Sequence, residues 1–233
     1  MNVLGLITAR GGSRGIPRKN VVLLRGRPLL AYTADAALGS RRIDRVVMST
    51  DDEEIATVGR AVGIEVPFLR PDELAGDDVP SLPVVQHACA WLHDNDSWAA
   101  DVVVLLQPTS PLRRPEHVDA AVDLLEREEV DTVVSVIAVP HRFNPYSVMT
   151  ASDGRLRPFI DEPLEFDRYR RQALPAVVAR NGPAVLATRA SIVHAGSLYG
   201  ERIAPLVMSD EDSVDIDTEL DLAIAEMLLA RRE

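Results

Sequence analysis

The chain has 233 residues, 46% of them hydrophobic, with a formal net charge of −11 and a single cysteine. That length and apolar content supply a core near the upper size for one domain, while no apolar stretch reaches the roughly 20 residues that cross a bilayer. The acidic balance excludes a general nucleic-acid binder, which needs a broad cationic surface.

The run Val3–Ala9 is too short for a secretory core and has no basic region before it, so a cytoplasmic protein is expected. From there, short runs rich in Val, Ile and Leu predict strands at Val3–Thr8, Arg45–Thr50, Glu65–Leu69, Val102–Gln107 and Thr132–Val139. Between them, apolar residues at helical spacing predict helices at Pro28–Leu38, Glu53–Val62, Leu82–His93 and Pro115–Glu128. Cys89 falls in the third of these and reads as a packed core residue rather than a nucleophile. Strand and helix in alternation imply an α/β fold: a doubly wound, mostly parallel sheet with helices on both faces. Ligands bind such sheets at the carboxyl ends of the strands, where polar clusters fall at 9–20, Ser49–Asp52, Arg70–Pro71 and Gln107–Ser110.

The first cluster carries the most chemistry. It holds Arg10, Gly11, Gly12, Ser13, Arg14, Gly15, Arg18, Lys19 and Asn20, and Lys19 is the only lysine among 25 basic residues. Glycines let a backbone approach an anion closely. A compact ammonium in a chain that otherwise uses arginine marks a place where a planar guanidinium does not substitute. The loop matches neither the G-x-x-x-x-G-K-[ST] nor the G-x-G-x-x-G phosphate fingerprint, which disfavours a standard ATPase or dehydrogenase.

The alternation breaks between 140 and 175, where prolines stand at 140, 145, 158, 163 and 175 and no period is sustained. This segment reads as an excursion from the sheet, an arm or dimerisation element within a single domain covering 1–233. A second Arg-rich group, Arg168, Arg170, Arg171 and Arg180, follows or overlaps it. Near the C-terminus, extended backbone over Asp212–Asp217 would turn Asp215 and Asp217 to one side and Val214 and Ile216 to the other. Two carboxylates sharing a cation suit Mg²⁺, which is completed by waters and substrate phosphates. The competing reading is that Asp217 caps a helix over Leu220–Ala230.

These motifs together resemble the acylneuraminate (CMP-sialic acid type) cytidylyltransferases over nearly the whole chain. The resemblance rests on Ala9–Asn20, Ser49-Thr50-Asp51, the Arg70–Asp77 stretch, Leu105–Arg113, Arg171-Gln172 with Leu174-Pro175, Asn181-Gly182 and Asp212–Asp217. It implies a Rossmann-like nucleotidyltransferase fold, a homodimer, and a reaction in which CTP and an acidic acceptor give a CMP-linked product and pyrophosphate. It also implies roles: Arg10 and Lys19 in catalysis; Arg10, Gly11, Gly12, Ser13, Arg14, Lys19, Asn20, Arg70 and Ser81 in binding the nucleotide; Gln107, Arg171 and Asn181 at the acceptor; and Asp215 and Asp217 on Mg²⁺.

The chain departs from the family pattern where Asn181-Gly182 is followed by Pro183-Ala184-Val185, without the usual tyrosine, and where charged residues occupy Gly200–Ile203. The expected acceptor is therefore an acidic nonulosonate other than N-acetylneuraminic acid, or a smaller acid such as a phosphonate. Another nucleotidyl- or glycosyltransferase, and a non-catalytic nucleotide-binding protein, are the competing classes.

Overall fold

The computed structural model describes residues 1–13, 15–160, 175–182 and 184–232. Strand β1 (Val3–Thr8) leads into the glycine-rich loop. A small ribbon, β2 (Leu23–Leu24) with β3 (Arg27–Pro28), follows it, and then come α1 (Leu29–Leu38), β4 (Arg45–Ser49) and α2 (Glu53–Ala61). Next are α3 (Ser81–Asp96), β5 (Val102–Leu106), α4 (Pro115–Arg127) and β6 (Thr132–Ala138). The hairpin β7 (Met149–Ser152) and β8 (Arg155–Pro158) precedes β9 (Val178–Arg180), β10 (Leu186–Arg189), α5 (Ala190–His194), β11 (Ile203–Val207) and α6 (Glu219–Ala230).

The main sheet has seven strands in the order β11-β6-β10-β5-β1-β4, with β9 pairing the end of β6. The pairs β1–β4, β1–β5 and β6–β11 are parallel, whereas β10 lies antiparallel between β5 and β6. Period-two alternation sends Ile7, Met48, Val104 and Leu106 to one face, against apolar residues of α1, α2 and α4. Leu4, Leu6, Val103 and Leu105 go to the other, against Val85, Ala88, Cys89 and Leu92 of α3 and Val193 of α5. The sheet is thus mostly parallel and covered on both sides, and β1 is a topological switch: the chain steps to β4 on one side of it and later to β5 on the other. A crevice opens at such a switch, beyond the carboxyl ends of the strands.

Two expectations are corrected. Glu65–Leu69 is not a strand; it makes one bridge, Val47 to Glu65, and stops. Pro67 has no N–H to continue the ladder, so the segment runs along the sheet edge without joining it. Strict alternation also misses β10 and β11, which follow the excursion. Pro205 is accommodated in β11 because that strand lies at the edge of the sheet. Within 140–160, Asp153 (φ 52°) and Gly154 (φ 71°) form the two-residue turn of the β7–β8 hairpin, both left-handed as a type I′ turn demands.

Candidate active site

A third apolar cluster lies off the carboxyl edge of the sheet and places the site. Ile16 of the glycine-rich loop, Leu29 of α1, Leu112 of the loop after β5, Ile216, and Ala225 and Leu228 of α6 pack together, with Val214 against them. Ile216 is fully buried, so the extended 214–217 segment puts its apolar residues inward, and Asp215 and Asp217 both line the cleft above. Backbone pairing completes the join: Ile216 N–H donates to the carbonyl of Thr109 at 2.8 Å. Because β11 runs parallel to β6, the chain leaving it emerges at the same edge as the loops after β1 and β5.

The cleft has a volume of about 380 Å³. Its lining brings together Arg10, Gly12, Ser13, Lys19, Asn20, Arg70, Ser81, Gln107, Asp215 and Asp217 of the residues expected from sequence, with Asp77 and Thr109 in addition. Gly11 is not in the lining. Its N–H donates to Asp51 Oδ1 at 3.1 Å, and a β-carbon there would stand 2.8 Å from Asp52 Oδ2, so this glycine lets the loop lie against the residues after β4. Arg14 and Arg171, with Arg168 and Arg170, lie outside the described residues.

Lys19 joins the two chemical clusters. Its Nζ donates to the Ile216 carbonyl at 2.7 Å and to Asp217 Oδ1 at 3.0 Å. Arg10 pairs with Asp77, and both line the cleft. Arg18, in left-handed backbone, pairs with Asp52 and Glu54 outside the lining and so anchors the loop. The Arg18 guanidinium, first by hydrogen bonding, holds the Asp52 carboxyl below its usual range, although partial burial opposes this. Ser13 Oγ donates to the Ile16 carbonyl, and Asn20 Nδ2 donates to the Arg10 carbonyl at 2.8 Å. Arg70 is buried, and its Nε and Nη2 donate to Ser49 Oγ at 3.0 Å and the Ser49 carbonyl at 2.6 Å. Burial lowers its pKa.

Asp215 is the anomalous acid. Burial, and then the charge of Asp217, push its carboxyl above the usual range against the pull of Thr109 and Lys19. Its Oδ1 is buried without a hydrogen-bond partner among the described residues, and so are Thr109 Oγ1 and Ser110 Oγ. Asp217 does not cap α6. Thr218 does, accepting from Asp221 N–H while Asp221 caps it in return, and this leaves the Asp217 side chain 74% exposed to the cleft. The capping alternative is thereby corrected.

Asn181 lies behind the cleft rather than in it. Its Oδ1 accepts from Ser135 Oγ at 2.6 Å and its Nδ2 donates to Ser213 Oγ at 2.8 Å, bracing the turn that leads to Asp215. Arg113, to which sequence reasoning assigned no role, does similar work. It is buried, donates from Nη2 to Thr33 Oγ1 at 2.6 Å and from Nη1 to the carbonyls of Ala184 and Gln107, and so ties α1 to the end of β5. Burial lowers its pKa to about 9 against the charge of Asp215, leaving a cation at neutral pH. Cys89 is inert, its thiol pushed up to about 11 by burial.

Of the two departures from the family pattern, Arg202 and Val185 fall away from the cleft, and Pro183 lies outside the described residues. Arg202 pairs with Asp131 at the amino end of β6, on the edge of the sheet opposite the site, because Gly200–Ile203 precedes a strand parallel to β6. Val185 is fully buried among Val104, Val133 and Ala187, so the missing tyrosine is a core substitution. Neither Arg202 nor Val185 lines the cleft.

Comparison with known proteins agrees with this geometry. The profile of the cytidylyltransferase family matches residues 4–191. The chain is 34% identical over 226 residues to N-acylneuraminate cytidylyltransferase of Escherichia coli O18:K1:H7, covering 96% of itself and 51% of that protein. It is also 34% identical over 230 residues to CMP-N,N'-diacetyllegionaminic acid synthase of Legionella pneumophila, covering 98% and 97%. It thus spans about half the length of the first relative and nearly all of the second. Among solved structures, CMP:2-keto-3-deoxy-manno-octonic acid synthetase complexed with CTP superposes with a TM-score of 0.74 at 17% identity over 100% of both chains, a likeness of fold. With a phosphate-type loop, a carboxylate pair and a switch-point crevice assembled at one sheet edge, and a profile that covers most of its length, the chain belongs to the cytidylyltransferase family.

Proposed function

We propose that the chain transfers CMP from CTP to an acidic acceptor of the nonulosonic-acid class, releasing pyrophosphate. The observation that carries this reading is the contact of Lys19 Nζ with Asp217, residues 198 apart in sequence, which brings a phosphate-type loop and a metal-type carboxylate pair into one cleft. The relatives named for sialic and legionaminic acids support the acceptor class, and the sugar acid is favoured over a phosphonate because both are nonulosonate enzymes by name.

Arg10, Ser13 and Lys19 would hold the triphosphate, with Arg14 from the same loop, while Gly11 and Gly12 allow its backbone close approach. Asn20, Arg70 and Ser81 would border the cytidine part, and Gln107 the acceptor, with Arg171 as its proposed partner. Asn181 would serve the acceptor indirectly, by positioning the turn before Asp215. The buried, unpartnered Oδ1 of Asp215 and the exposed carboxylate of Asp217 form an oxygen-donor pair that fits Mg²⁺. When bound, Mg²⁺ would offset the charge of the phosphate oxygens. The acceptor hydroxyl attacks the α-phosphorus in line; a new O–P bond forms, the bond to the β-phosphate oxygen breaks, and the hydroxyl proton passes to the medium. Lys19 follows the negative charge that builds on the departing pyrophosphate, an interaction stronger in the transition state than before it.

We read 1–233 as one cytoplasmic domain, where CTP is available, and 140–175 as the arm of a homodimer. Exposed Leu156 and Phe159 at the β8 end of the hairpin support the latter; sedimentation as a fully active monomer would remove the arm's role. The function itself is tested by following pyrophosphate release from CTP, UTP and GTP across nonulosonic acids, Kdo and phosphonates. Release restricted to CTP with a nonulosonic acid is expected, and preference for another nucleotide would sink the assignment.

A further inference from the structure

Each described cation of the glycine-rich loop is already engaged by an acid, but the three pairs are not equivalent. Arg18 with Asp52 and Glu54 lies outside the cleft lining and fastens the loop down. Lys19 meets Asp217, an acid with its own place in the proposed metal pair. Arg10 meets Asp77, which also lines the cleft and has no part in the chemistry so far described.

Asp77 belongs to the stretch between the short 3-10 turn Asp72–Leu74 and the start of α3. Leu74, Gly76, Val79 and Ser81, all from this stretch or its ends, line the same cleft. The carboxylate lies over the glycine-rich loop as well, since a β-carbon on Gly12 would stand 4.0 Å from Asp77 Oδ1. One side chain therefore ties the phosphate end of the cleft to the wall beside Ser81. A carboxylate offers a guanidinium the same sign of charge as a phosphate and a similar pair of acceptor oxygens. An incoming triphosphate carries more charge to the same partner, and the two anions repel. The pair is also weak enough to be exchanged, because Arg10 and Asp77 side chains are 31% and 39% exposed and such pairs are screened by solvent.

We propose that Asp77 is a phosphate-mimicking latch: it holds Arg10 while the cleft is free of nucleotide, and the triphosphate of CTP displaces it, releasing the 75–80 stretch next to Ser81. The inference rests on the nucleotide site proposed above. Asp77 is on this account a positioning residue, acting through Arg10 and the stretch that bears it.

The test measures CTP binding calorimetrically in Mg²⁺ without acceptor for the wild type, Asp77→Asn and Asp77→Glu, together with hydrogen exchange over 72–80. The asparagine variant should bind CTP roughly 2- to 5-fold more tightly, the change expected for losing an exposed ion pair, and the glutamate variant should stay near wild type. CTP should speed exchange over 75–80 in the wild type, and Asp77→Asn should show the faster exchange without CTP. Weaker or unchanged binding by Asp77→Asn, or protection of 75–80 by CTP in the wild type, overturns the latch and makes Asp77 an attractive part of the site. A wild type that binds no CTP overturns the nucleotide reading and the latch together; one that binds CTP while Asp77→Asn binds no better overturns the latch alone.

Discussion

A β-carbon on Gly15 would stand 2.2 Å from the carbonyl oxygen of Asp217. No flexible side chain can yield there, since the obstacle is backbone held by the buried Ile216 beside it. The glycine is what lets the phosphate-type loop touch the carboxylate pair. Gly15→Ala should push the 215–217 segment away, lowering kcat by about 10²-fold through misplacement of the reacting groups, with a thermal unfolding midpoint within a few degrees of wild type. Near-normal turnover in a folded Gly15→Ala protein would show that this contact does not matter.

Asp217 and Thr218 are adjacent in sequence but separable in role. Asp217→Ala removes an exposed carboxylate that caps nothing, so the fold should be kept while turnover and its Mg²⁺ dependence are lost. Thr218→Ala removes the α6 cap and should cost about 1 kcal/mol of stability with turnover near wild type at 25 °C. Chemical denaturation beside a steady-state assay of both variants checks the pair, and a reversal of the two phenotypes would restore Asp217 to a capping role.

Lys19→Ala deletes the ammonium between Ile216 and Asp217. We expect a loss in kcat of roughly 10²- to 10³-fold, the size seen when one donor to a developing negative charge is removed, and Lys19→Arg should recover little of it because the fork does not replace a point charge. Retained activity in Lys19→Ala would remove the residue from the mechanism.

The Arg18–Asp52 pair carries a pH signature. Arg18 holds the folded-state pKa of Asp52 below its unfolded value, so the pair stabilises the protein fully above that unfolded value, near 4 for an aspartate, and the contribution is lost as pH falls through the folded pKa. Asp52→Asn should therefore be less stable than wild type at pH 7, and the gap should close as acid is added below about pH 4. Urea unfolding at both ends of that range checks it; a gap that widens in acid contradicts the assigned pairing.

The fold was legible where local periodicity carried it. The alternation of Val-rich runs with helical spacing placed β1, β4, β5, β6 and the four helices between and beside them, and the carboxyl-end clusters located the cleft. What the sequence hid was long-range. Whether Leu186–Arg189 enters the sheet antiparallel between β5 and β6 depends on pairing with strands 52 to 87 positions earlier, and no local pattern encodes it. The β7–β8 hairpin was readable from Asp153-Gly154 and was missed. In the site, residue types identified the loop and the carboxylates, but not the partners: Asp77 for Arg10, Asp52 for Arg18 and Thr33 for Arg113 are chosen by tertiary approach. The charged residues at 200–203 looked like a pocket wall only while the direction of β11 was unknown.

The most direct measurement is ³¹P NMR of the purified chain with CTP, Mg²⁺ and one nonulosonic acid. The account predicts matched growth of pyrophosphate and of a single phosphodiester resonance for the CMP-linked product, both absent with Lys19→Ala. Pyrophosphate with free CMP and no phosphodiester, or CTP left intact with every nonulosonic acid although it binds, would contradict it.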